Sequence, residues 1–150
     1  MKKSIALETI CFLLILLFVY TAVSKFINFD NFRTFVVTQT PLLRPIAGIM
    51  AIIIPAAELV AVCMLLIPKF RKIGLYTSFV LMAAFTGYVV YALYFSPKVP
   101  CACGGIIRQM SWRQHLVFNS AFTIAAFIAI RLHNRQENFN DSQLSGVQFT

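Results

Sequence analysis

The sequence predicts an all-α fold: an integral membrane four-helix bundle with a short interfacial helix after helix 1. Three observations predict it. The 150 residues are 59% hydrophobic and only 12% charged, half the roughly 25% charged residues that a soluble domain uses to cover its surface. Mean hydropathy is +0.79, and apolar runs fall at 5–23, 46–67, 73–95 and 116–132, each close to the roughly 20 residues that span a bilayer. The net charge of +8 is spread over the ends of these runs, where Lys and Arg anchor helices at lipid head groups. It forms no single basic patch, so the distribution argues against a nucleic-acid partner. The expected organisation is one four-span membrane domain over 1–133 and a flexible polar tail over 134–150.

Helix 1 opens after Lys2 and Lys3. These residues, the apolar run and Thr21-Ala22-Val23-Ser24 have the form of a secretory signal. Glu8 interrupts the run, however, and the segment is expected to persist as the first span, ending near Ser24-Lys25. Phe26, Phe29, Phe32 and Phe35 then recur every third residue with polar residues between them. That pattern suits a short helix in the interface, aromatic side down; the alternative is a loop packed on the helix ends. Pro41 and Pro45 break the chain before helix 2.

Within helix 2, Pro55 is expected to introduce a kink. Glu58 follows near mid-bilayer, where a carboxyl group must face the bundle interior or be protonated. It serves either as a proton or cofactor contact or as an interhelical hydrogen bond. Lys69, Arg71 and Lys72 crowd a very short connection, which makes helices 2 and 3 a tight hairpin. Helix 3 offers Gly87 as a close-packing point and Tyr88, Tyr91 and Tyr94 as an aromatic belt. Ser96-Pro97-Lys98-Val99-Pro100 stops it. In helix 4, Ser111 and Gln114 form a capping box. Ser111, His115, Asn119 and Thr123 follow each other at intervals of four, a polar stripe running from the loop into the membrane.

The chemistry concentrates in Pro100-Cys101-Ala102-Cys103-Gly104-Gly105. A disulfide across Cys-x-Cys closes a small ring away from relaxed geometry, which makes it easier to reduce. Gly104 and Gly105 ease the tight turn. Redox cycling of Cys101 and Cys103 is the leading expectation, beside a passive disulfide or a copper or zinc site completed by His115. His115, one turn into helix 4, can take a thiol proton, and the helix N-terminus favours the thiolate; the bland alternative is an interfacial histidine bonded to the loop backbone. Trp112 anchors the interface, and Asn119 is expected to bond across helices. Cys11 and Cys63 fall at similar depth in helices 1 and 2. They are either a second thiol pair or simply small apolar residues. Three basic residues in one short connection favour that side as cytoplasmic. Both termini are then inside, and the cysteine loop faces the periplasm, where disulfides persist.

Taken together, Tyr20-Thr21-Ala22-Val23-Ser24-Lys25, the aromatic segment with Phe32 and Phe35, and a glutamate in helix 2 resemble the DoxX-like superfamily. The Cys101-Ala102-Cys103-Gly104-Gly105 loop with Ser111-Trp112, His115 and Asn119 resembles the methylamine utilisation protein MauE family, especially its short Bacteroidetes-type members. The resemblance covers about residues 5–132. It implies an inner-membrane protein tied to thiol–disulfide chemistry outside the cytoplasm, with a periplasmic thioredoxin-like partner, as in maturation of methylamine dehydrogenase. The family loop often carries phenylalanine where this chain has Gly104, which alters the surroundings of the thiols.

The leading expectation is therefore a membrane thiol–disulfide oxidoreductase in which Cys101 and Cys103 exchange disulfides and His115 and Arg113 tune the thiolate. Lys25, Glu58, Ser111, Trp112 and Asn119 support the site. The rivals are a non-enzymatic anchor or assembly factor in a larger membrane complex, with a structural disulfide, and a quinone-linked relay. The relay rests on architecture alone; otherwise no cofactor is expected.

Overall fold

The computed structural model describes residues 2–39, 45–95 and 112–147. Five helices follow in order: α1 (Lys2–Ile27), α2 (Phe29–Gln39), α3 (Ala47–Leu66), α4 (Arg71–Phe95) and α5 (Trp112–Val147). Among the described residues there is no strand. Four of the helices are long and apolar enough to cross a membrane, over Ile5–Ile27, Gly48–Leu66, Pro68–Tyr91 and Arg113–Phe139. The shorter α2 is the expected extra helix.

The four long helices close into a ring: α1 packs on α3, α3 on α4, α4 on α5 and α5 back on α1. Their inward faces supply a core that includes Leu14, Phe18, Leu65, Met82 and Ala126. Phe12, Ile52, Val80 and Val117 are exposed on the outside. Such an outward apolar surface suits lipid, since the bilayer rather than water solvates it. Leu7, Leu14 and Ala22 of α1 are buried in the bundle, so the first apolar segment belongs to the fold.

Helix pairs are fixed by a few specific contacts. A Cβ on Gly74 would sit 2.9 Å from the Leu65 backbone nitrogen and 3.0 Å from the Met64 carbonyl carbon. Only glycine lets α3 and α4 approach this closely beside their connection. The close-packing point is thus Gly74 and not Gly87, whose Cβ would meet nothing within 4 Å. Between α4 and α5, the Thr86 and Thr123 hydroxyls hydrogen-bond at 3.0 Å. Thr123 also donates to the Asn119 carbonyl.

At one end of the bundle Arg71 pairs with Glu8 at 2.5 Å and Lys72 with Glu137 at 2.7 Å. Asn134 donates to the Tyr76 hydroxyl at 3.4 Å. The Glu137 and Asn134 contacts lie along the extension of α5, which continues as helix to Val147 and does not end near 133 as the polar composition suggested. A polar helix can extend beyond the apolar core when its partners come from the next helix, as Lys72 and Tyr76 of α4 do here.

The phenylalanine pattern resolves differently from a single aromatic stripe. Phe26 closes α1 and is exposed, whereas Phe32 and Val36 of α2 are buried against Ala51 of α3, with Phe29 partly buried. In an α-helix, positions three and four apart share a face. The buried face is therefore Phe29, Phe32 and Val36, and it is turned onto α3.

Candidate functional site

Glu58 organises the site. It is fully buried in α3, three residues after the buried Pro55. A carboxylate in that position needs a cation, because the interior offers no water to solvate it. Lys25, in the last turn of α1, supplies it: Lys25 Nζ donates to Glu58 Oε1 at 2.5 Å. Lys25 is only 6% exposed, so it does not face lipid head groups as its place at the end of an apolar run suggested. The ammonium also lies over two aromatic rings, with centroids 5.7 Å away for Phe32 and 5.1 Å for Phe85. Each such contact adds a cation–π attraction that strengthens when water is excluded.

The polar stripe of α5 faces this pair. His115 and Asn119 are 4% and 6% exposed, and both line the same cavity as Lys25 and Glu58. The cavity has a volume of about 320 Å³ and is otherwise walled by apolar and aromatic residues, among them Phe18, Phe32, Phe85 and Phe118. Tyr88 lines it too, so one tyrosine of the expected belt is turned inward, while Tyr91 and Tyr94 are exposed. Two fully buried polar atoms of these residues, Glu58 Oε2 and His115 Nδ1, have no hydrogen-bond partner among the described residues. Buried polar atoms are normally satisfied, so these two are exceptions within the bundle.

Four of the sequence-derived candidates, Lys25, Glu58, His115 and Asn119, therefore meet in one place. Arg113 does not join them: it is exposed, near the start of α5. Cys101, Cys103 and Ser111 lie outside the described residues, as does the rest of 96–111, the connection from α4 to α5. α5 begins at Trp112, directly after Ser111. The copper or zinc set draws Cys101 and Cys103 from that connection, leaving His115 alone within the described residues. Cys11 and Cys63 are both free thiols; Cys11 is buried in the core and Cys63 is exposed on the outside of α3.

Sequence reasoning singled out Lys25 and Glu58 separately but did not join them, and it missed the ring contacts of Phe32 and Phe85. One signal was available. A lone acidic residue within a span requires a partner, and Lys25 is a basic residue close to where helix 1 ends and an aromatic segment begins.

No curated protein and no solved structure matches this chain. The family model described as methylamine utilisation protein MauE does match, over residues 3–132. With four candidate spans and a match across most of its length, the chain is a multi-pass membrane protein and belongs to the MauE family.

Proposed function

We propose that this protein is a thiol–disulfide redox protein of the bacterial inner membrane. Cys101 and Cys103 exchange disulfides with a periplasmic thioredoxin-like protein, and both termini are cytoplasmic. The observation that carries the proposal is the buried Lys25–Glu58 pair with His115 and Asn119, gathered where α5 begins after the Cys101–Cys103 connection. In the exchange two electrons and two protons pass from one dithiol to the other protein's disulfide, and a carboxylate and an imidazole are groups that can relay such protons. A close Cys-x-Cys pair suits exchange because its disulfide is strained.

A second function has its own support. The Lys25–Glu58 pair joins α1 to α3 deep in the bundle, and such a pair can serve packing alone. The chain would then be an anchor or assembly factor with a structural disulfide. Trapping separates the two. Exchange leaves a partner covalently held when one thiol is removed, because the mixed disulfide can no longer be resolved. Membranes carrying Cys101→Ser or Cys103→Ser should accumulate a reducible adduct with a thioredoxin-like protein, and the double variant should not. Absence of any adduct from both single variants would favour the anchor.

A further inference from the structure

We infer that α2 is a hinged lid that controls the access of water to the Lys25–Glu58 pair. Three features carry this: how α2 is joined to α1, what holds it down and what lies beneath it.

The joint is a single residue. The Asn28 N–H still bonds to the Ser24 carbonyl at 3.1 Å, and α2 opens a ladder of its own with the Phe32 N–H on the Asn28 carbonyl at 3.0 Å. The Asn28 side chain donates to the same Ser24 carbonyl at 3.0 Å. α1 and α2 are thus separate helices that meet at Asn28, which is exposed. Hinges are a few residues at element ends that absorb a change in backbone angles. Lys25 lies on the α1 side of this joint and Phe32 on the α2 side. Rotation at Asn28 therefore lifts Phe32 and leaves Lys25 on Glu58.

Little holds α2 down. Each of the four long helices packs on two others, whereas α2 packs chiefly on α3. Phe32 and Val36 form a small cluster with Ala51 of α3, apart from the main core. The outer face of α2, with Asp30, Asn31, Arg33 and Thr34, is polar and exposed. Segments with few buried apolar contacts open locally at lower free energy than core helices do.

The site lies beneath. Phe32 and Val36 line the cavity that Lys25 and Glu58 also line, and the Lys25 ammonium lies over the Phe32 ring. With α2 down the pair is buried. With α2 raised that ring is gone and water reaches the pair. The use of the lid in thiol exchange rests on the function proposed above: protons pass between water and the buried carboxylate only while the lid is open. The lid itself does not rest on that function.

The test is labelling of Val36→Cys by the water-soluble thiol reagent sodium 2-sulfonatoethyl methanethiosulfonate, on the full chain in nanodiscs. Cys11, Cys63, Cys101 and Cys103 are each changed to alanine in that background, so thiol exchange plays no part. Val36 is buried on the inner face of α2, and Leu14→Cys in the main core is the closed reference. Val36→Cys should label at least about tenfold faster than Leu14→Cys, because local opening outruns global unfolding. Asn28→Gly frees the joint and should speed labelling of Val36→Cys further while leaving Leu14→Cys unchanged. Labelling of Val36→Cys no faster than that of Leu14→Cys would overturn the inference, as would an equal effect of Asn28→Gly on both. Should Val36→Cys fail to fold, amide exchange of the unsubstituted protein decides. Amides of 32–36 should exchange as a group, at least about tenfold faster than those of 51–58 in α3; equal rates would overturn the lid. A chain that traps no thioredoxin-like partner can still show these rates, so failure of the lid and failure of exchange are separate results.

Discussion

At the scale of single residues, the Lys25–Glu58 pair is the main commitment of the fold. Removing one partner of a buried ion pair strands the other charge and costs about 3–5 kcal/mol, whereas replacing both with apolar groups of similar size is often neutral. Glu58→Gln and Lys25→Met should therefore each destabilise the protein by about that amount. The double variant Lys25→Met/Glu58→Leu should recover most of the loss, as read by unfolding in mixed micelles. Additive losses in the double variant would show that the two side chains do not act as a pair. Glycine gives a second contrast. Gly74→Ala forces a methyl group against the Leu65 and Met64 backbone, which cannot yield as a side-chain tip would, and it should lower thermal stability. Gly87→Ala meets open space and should be neutral or stabilising by up to about 1 kcal/mol through helix propensity. Equal effects at the two positions would contradict the close approach of α3 and α4.

At the scale of elements, α2 and the end of α5 carry the information that composition obscured. α2 covers the Lys25 pocket through Phe32 and Val36, both of which line it, so it belongs to the site as well as to the interface. The end of α5 holds to α4 through Lys72–Glu137 and Asn134–Tyr76. Exposed ion pairs contribute little stability, about 0–1 kcal/mol, so truncation after residue 133 should leave melting nearly unchanged. Helical hydrogen bonds still slow amide exchange, and amides near Glu137 should be protected relative to a peptide of the same sequence. Exchange there at the unprotected peptide rate would argue against the extended helix.

At the scale of the whole molecule, the four spans were legible because bilayer crossing demands long apolar runs, and that demand leaves a plain mark in 59% hydrophobic residues. The stripe of His115, Asn119 and Thr123 was legible because helical spacing places such residues on one face. The pairing of Lys25 with Glu58 was not, since their meeting depends on how α1 and α3 stack and on α2 covering them, neither of which leaves a local pattern. Gly87 looked like a packing point by type alone. Only the course of α3 beside Gly74 shows which glycine the packing needs. Likewise the extension of α5 is held by residues of another helix, and its own composition resembles a loose tail.

The proposed function requires Cys101 and Cys103 to form a working redox couple. Thiol trapping of the parent protein across a glutathione series measures it most directly. A single two-electron transition is expected at about −270 mV or more positive, in the range of thioredoxin-like exchangers. A potential more negative than about −300 mV, the range of structural disulfides, or thiols that never join, would contradict it.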